Sequence, residues 1–141
     1  MLETHFNIAV PSWVLPYAAT YTPQTDVQER MRFVLDLAAA NIKNDDGGPF
    51  AAAVFDQDHH LVSLGVNQVV RGGSSILHAE MIALALAQKS VGRYDLSNSG
   101  HWHYELVSST EPCAMCMGAI PWAGIGQLAC GARDKDARAV G

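Results

Sequence analysis

An α/β domain with a mixed central sheet is predicted by three observations. A helix-period apolar stripe runs through residues 27–42. Two strand-like runs, 50–56 and 61–67, follow with only the polar turn 57–60 between them, which makes an antiparallel hairpin. A strand at 104–109, a helix from 113 to about 120 and a strand at 125–130 then come in succession. A strand–helix–strand unit implies a right-handed crossover and a parallel pair. Hairpin and crossover in one sheet make that sheet mixed, with helices packed on it.

Each element has a local reason. Residues 1–22 are rich in proline and aromatic residues without a clear period, and read as an N-terminal arm ahead of a domain spanning 23–141. Trp13, Tyr17 and Tyr21 are its expected anchors, either on the domain itself or on a partner subunit. Thr25 with Gln28 three residues later resembles a capping box and marks a helix start. Val27, Met31, Val34, Leu35, Ala38 and Ile42 then repeat at the spacing of one buried stripe. Asn44-Asp45-Asp46-Gly47-Gly48-Pro49 ends the helix, because glycine is free to take positive φ and proline cannot continue a helix. Residues 71–75, Arg-Gly-Gly-Ser-Ser, read as a loop. The helix from His78 to about Lys89 is apolar on most sides and should be buried. The stretch 92–103 is a polar loop. The helix beginning at Cys113 is short and should stop at Pro121. Cys130, alone on the apolar last strand, is expected in the core.

Composition narrows the function classes. A chain of 141 residues, 49 % of them hydrophobic, is expected to build one domain with a core. No apolar run approaches membrane-spanning length, so no membrane partner is expected. Glu3, Pro11 and Pro16, with no Lys or Arg before Arg30, do not make a secretory signal. Three cysteines, two of them in a metal-like pair, point to a reducing cytoplasm rather than to a disulfide framework. The net charge is −5, and the nine Lys and Arg residues are scattered. Affinity for a polyanion comes largely from phosphate contacts, so a small substrate is favoured over RNA or DNA.

The chemistry lies in His78-Ala79-Glu80 and Pro112-Cys113-Ala114-Met115-Cys116, with 34 residues between His78 and Cys113. One His and two Cys supply three zinc ligands and leave a fourth position open, as a catalytic zinc requires. Three such ligands with an adjacent carboxylate suit hydrolysis at a carbon that bears an amino group. His78 and Cys113 each fall where a helix begins, so two helix N-termini converge there. Their partial positive charge would help to keep Cys113 and Cys116 as thiolates. Cys113 and Cys116, at i and i+3, share one helix face. Glu80 need not ligate; it can reach a water beside the metal and move its proton. A zinc ribbon would want a second Cys-x-x-Cys or a His pair, and neither is present. His5, His59, His60, His101 and His103 lack ligand spacing, and His101-x-His103 falls in the polar loop as a solvated pair.

His-x-Glu followed by Pro-Cys-x-x-Cys is the signature of the cytidine deaminase superfamily, which residues 27–141 resemble. Within it, the chain is similar to the small bacterial guanine deaminases. The resemblance implies a three-layer α/β/α fold, Zn2+ on His78, Cys113 and Cys116, and Glu80 as proton shuttle. Gly47-Gly48-Pro49-Phe50 resembles a guanine deaminase motif whose Phe borders the base. Asn67 matches the Asn that hydrogen-bonds substrate across the superfamily. Gly118-Ala119-Ile120-Pro121-Trp122-Ala123 resembles a guanine deaminase run whose Trp packs beside the purine. Ala79, between His78 and Glu80, joins the substrate-binding set.

A purine pocket agrees with these residue types, since a flat base needs apolar walls and a few aimed polar groups. Phe50 and Trp122 would be walls, and the Asn67 amide both donates and accepts. The plainer alternatives are a core Phe50, a Trp122 in a dimer interface and an Asn67 that closes its strand. Gly131-Ala132-Arg133-Asp134 resembles the tRNA adenosine deaminases instead. In guanine deaminases a second carboxylate lies a few residues past the position of Gly141, and a C-terminal segment closes the site. A tail of that kind is expected beyond this sequence.

The resemblance thus implies zinc-dependent deamination of guanine to xanthine and ammonia by a homodimer built partly on the loops around Trp122. A tRNA adenosine deaminase, a deaminase of cytosine or another aminoheterocycle, and a zinc-bearing scaffold without activity are the alternatives.

Overall fold

Alternation along the strands builds two cores from one sheet. In the computed structural model, which describes residues 1–44 and 47–140, the strands are β1 (Ala51–Phe55), β2 (Leu61–Val66), β3 (Glu105–Thr110) and β4 (Gln127–Ala132). Their order is β2-β1-β3-β4. β1 runs antiparallel to β2 and to β3, and β3 runs parallel to β4, so the predicted hairpin and crossover share one mixed sheet. Successive side chains point to opposite faces. Ala51, Ala53 and Phe55 join one core cluster with Val34 and Leu37 of helix α2 (Val27–Lys43). Ala52 and Val54 join the other with Ala83 and Ala87 of α4 (Ala79–Val91) and Ile120 of α5 (Ala114–Ala123). The sheet lies between α2 on one side and α4 and α5 on the other, the three layers that the resemblance implies. Among the described residues no helix is long and apolar enough to cross a membrane.

The phase of α2 differs from the predicted stripe. Its inward face carries Arg30, Val34, Leu37, Ala38 and Asn41, whereas Val27, Leu35 and Ile42 are exposed. Two polar residues occupy core-facing positions, and this is why apolar spacing misplaced the stripe. Arg30 forms a buried ion pair with Glu105, Nη2 to Oε2 at 2.7 Å. Asn41 Nδ2 donates to the carbonyls of Gly48 and Asn67. The helix cap is Asp26, whose side chain accepts from Gln28 N, rather than Thr25. α2 closes at Asn44; Asp45 and Asp46 of the predicted turn lie outside the described residues.

The arm contains a short helix, α1 (Val14–Ala18), and lies on the chain's own domain. Tyr17 Oη donates to the carbonyl of Phe33 at 2.7 Å, and Tyr21 Oη to that of His59 at 2.8 Å. Tyr21 also packs between the rings of Phe33 and Phe55. Burial, with Asp36 as the lesser cause, pushes the Tyr17 hydroxyl up to about 12.

Three further readings are corrected. α5 continues through Pro121 and ends at Gly124, which adopts a left-handed φ of 82° and lies too close to Asp95 and the Ser97 backbone to carry a side chain. Pro121 lacks only its own N–H, and its position near the helix end limits what is lost. Cys130 is exposed rather than in the core, because β4 is an edge strand in which only Leu128 and Ala129 are half-buried. Part of the predicted 71–75 loop belongs to a short helix, α3 (Val69–Gly72), and α6 (Asp134–Val140) follows β4. Neither is long enough to display an apolar period.

Candidate active site

Two helix starts are brought to one end of the sheet. His78 is the N-cap of α4 and Cys113 the N-cap of α5, both with extended backbone, and neither side chain caps its own helix. An N-cap side chain ordinarily bonds the first turn, so these two are free for other work. Gly65 in β2 allows the α4 start to sit against the sheet, since a Cβ there would overlap the carbonyl of Ala79. Cys116 lies one turn into α5, fully buried.

The three side chains form a nearly equilateral triangle. Cys113 Sγ is 3.6 Å from His78 Nδ1, Cys116 Sγ is 3.7 Å from His78 Nδ1, and the two sulfurs are 3.7 Å apart. Tetrahedral corners around zinc, with Zn–S about 2.3 Å and Zn–N about 2.0–2.1 Å, put two sulfurs about 3.8 Å apart and sulfur and nitrogen about 3.6 Å apart. The donors fit three corners of that tetrahedron. Two cysteine sulfurs and an imidazole nitrogen are also donor types that zinc takes. Burial first, then the neighbouring Glu80 carboxylate, pushes the Cys116 thiol well above its usual range. A bound cation would act the other way, because a coordinating thiol is deprotonated outright. A second group of metal-ligand types among the described residues, Asp56, Asp58 and His60, belongs to the β1–β2 turn, where Asp56 Oδ1 already accepts from the backbone N–H groups of Asp58 and His60.

Glu80 is only 6 % exposed. Its Oε1 accepts from the buried Ser108 hydroxyl at 3.0 Å, and its Oε2 is 3.5 Å from Cys116 Sγ. His78 and Glu80 can face one cleft, although they are two apart, because His78 stands just outside the helix with ψ near 152°.

That cleft has a volume of about 460 Å³ and is lined by His78, Ala79, Glu80 and Cys113, with Phe50 and Asn67 on its wall. Phe50 is half-buried and also touches the α4/α5 core cluster. The Asn67 backbone is held by Phe50 and Asn41, and its Oδ1 accepts from Val69 N at 3.3 Å. Trp122, predicted as a wall, is 87 % exposed and takes no part in lining the cleft. Because α5 runs on past Pro121, Ile120 and Ala123 take its buried face and Trp122 turns to solvent.

The residue-by-residue reading missed the cleft's far side. α6 contributes Asp134, Ala137 and Arg138. Arg138 Nε pairs with Asp134 Oδ2 at 2.7 Å, and Asp134 N donates to Glu111 Oε2 at 2.9 Å. The i, i+4 pair Asp134–Arg138 was the available signal for this helix.

A family model for the cytidine and deoxycytidylate deaminase zinc-binding region matches residues 24–132. A solved guanine deaminase from Nitrosomonas europaea is similar over 100 % of this chain and 78 % of its own, at 42 % identity and a TM-score of 0.90. The guanine deaminase of Bacillus subtilis is 34 % identical over 93 residues, 66 % of this chain and 56 % of that protein. The tRNA-specific adenosine deaminase of Haemophilus influenzae is 34 % identical over 116 residues, 81 % of this chain and 62 % of that protein. The chain thus spans less than two thirds of the length of these two relatives.

Proposed function

Because the chain belongs to the cytidine and deoxycytidylate deaminase zinc-binding family, we propose that it hydrolyses guanine to xanthine and ammonia. The observation that carries this reading is the cleft itself. His78, Cys113 and Glu80 line it together with Phe50 and Asn67, and a guanine deaminase structure is similar to the whole chain at 42 % identity. His78 Nδ1, Cys113 Sγ and Cys116 Sγ would hold a zinc ion. Zinc, when bound, supplies a water of pKa about 7 in place of 15.7. Glu80 takes a proton from the attacking water and delivers it to the ring nitrogen. It then takes the remaining hydroxyl proton of the oxygen added at C2 and delivers it to the amino group, which leaves as ammonia as the C2–N bond breaks and the C2 carbonyl forms. Phe50 covers a face of the base and the Asn67 amide bonds its edge, with Ala79 packed against the ring. The three free cysteines suit a reducing cytoplasm.

Ammonia release should be measured with zinc-loaded protein against guanine, guanosine, adenine, cytosine, cytidine and a tRNA anticodon stem-loop. Turnover of guanine alone is expected. Turnover of the stem-loop, weakened steeply by salt, would replace this reading with tRNA editing. Glu111 and Asp134 stand at the cleft, and Arg138, the one Lys or Arg among the described residues that line it, is already paired with Asp134, which disfavours a polyanion.

Asn67→Ala is expected to raise KM and lower kcat together. A loss in kcat/KM of about tenfold corresponds to one hydrogen bond. Unchanged kcat/KM removes Asn67 from the site.

The protein is also proposed to be a homodimer, joined through the exposed apolar face of α5 that carries Met117 and Trp122. Sedimentation should give a dimer for the parent protein and a monomer for Trp122→Lys. A dimer unaffected by that substitution places the interface elsewhere.

A further inference from the structure

Ser108 places a hydroxyl where the fold calls for an apolar side chain. It follows Leu106 by two on β3, so both point towards α4 and α5, where Leu106 joins the apolar cluster. Ser108 is 1 % exposed. A hydroxyl buried at such a position is costly unless it finds a hydrogen-bond partner, and the partner here is Glu80 Oε1 at 3.0 Å. The carboxylate's other oxygen, Oε2, lies on the side of the donor triangle, 3.5 Å from Cys116 Sγ. The terminal torsion of a glutamate is broad and weakly restrained by the side chain itself, so an external contact has to set it. Ser108 sits in the sheet beneath the carboxylate, while Glu80 itself lines the cleft.

We propose that Ser108 is a positioning residue for Glu80: its hydroxyl holds Oε1, so that Oε2 stays turned to the donor triangle and is the oxygen that receives and returns the proton. This rests on the reading of Glu80 as the proton carrier. The Ser108 hydroxyl is the donor of this contact and Oε1 the acceptor. When Oε2 takes the proton, Oε1 remains an acceptor and the contact survives, so the carboxyl group need not rotate between the two proton transfers.

The test uses the full zinc-loaded chain with Ser108→Ala and Ser108→Thr, read by kcat and KM for guanine, by zinc content, and by crystal structures of each. Ser108→Ala is expected to keep its zinc and a KM within about twofold, and to lose roughly 10- to 100-fold in kcat. That is the scale on which a small misplacement of a reacting group acts. Ser108→Thr, which restores the hydroxyl, should recover kcat to within about threefold. In the crystal, the Glu80 carboxylate should be rotated or split in the Ala variant and single in the parent protein. A Ser108→Ala protein with parental kcat overturns the proposal, as does an equal loss in the Thr variant. If the parent protein turns over no guanine, the proposed reaction fails by itself. The crystal comparison then still decides Ser108, because an unmoved Glu80 carboxylate in the Ala variant overturns its role. Should the Ala variant not fold, Ser108→Cys, close in volume and a weak donor, is read by the same outcomes.

Discussion

Glu80→Ala is expected to bind one zinc per chain and to lose turnover by roughly 10²- to 10⁴-fold, the range over which a positioned proton carrier acts. Zinc should remain because Glu80 is not one of the three donors. The triangle of His78, Cys113 and Cys116 stands without it, with Glu80 Oε2 3.5 Å from Cys116 Sγ. Turnover should fall because removing the carboxylate leaves the water and the departing amino group without a positioned proton carrier. Metal analysis and guanine kinetics on one preparation check both halves. A variant that keeps zinc and nearly the parental kcat removes Glu80 from the mechanism. A variant that loses its zinc shows instead that the carboxylate belongs to the donor set.

Arg30→Ala is expected to destabilise the fold by about 3–5 kcal/mol, the cost of leaving one member of a buried ion pair alone. Glu105 is 5 % exposed, and its Oε2 accepts from both Nε and Nη2 of Arg30. The same guanidinium donates to the carbonyls of Gln24 and Thr25, so the substitution also releases the segment ahead of α2. For a chain of this size the melting temperature should fall by roughly 10 °C. Arg30→Met combined with Glu105→Leu should recover most of the loss, since it removes both charges rather than stranding one. Thermal unfolding of the three proteins decides this. A single variant within about 1 kcal/mol of the parent would mean that the pair contributes as little as an exposed one.

The candidate metal donors could be read in the sequence because Cys113 and Cys116 share one helix face at i, i+3 and because His-x-Glu with Pro-Cys-x-x-Cys resembles a known signature; only the fold brings His78 to the two sulfurs. The hairpin and the crossover were legible for a similar reason, as local patterning determines strand pairing over short connections. What escaped was set by tertiary contacts. Arg30 and Asn41 look like surface residues of an amphipathic helix, and only their partners Glu105, Gly48 and Asn67, distant in sequence, turn that face inward. Pro121 reads as a stop, yet α5 closes three residues later at a glycine fitted against the Asp95 loop. Trp122 reads as a pocket wall by resemblance, but the extra helical turn carries it to the surface. α6 is too short for periodicity, and the i, i+4 pair Asp134–Arg138 marks a helix but not its place at the cleft. Ser108 is one serine among several, and nothing before the fold connects it to Glu80.

The most direct measurement is the conversion of guanine to xanthine by the zinc-loaded protein, repeated after chelation and after zinc is returned. The account predicts one ammonia released per xanthine formed, loss of turnover when the metal is removed from His78, Cys113 and Cys116, and recovery at one equivalent of zinc per chain. No xanthine from fully loaded protein, or turnover that survives complete removal of the metal, would contradict it.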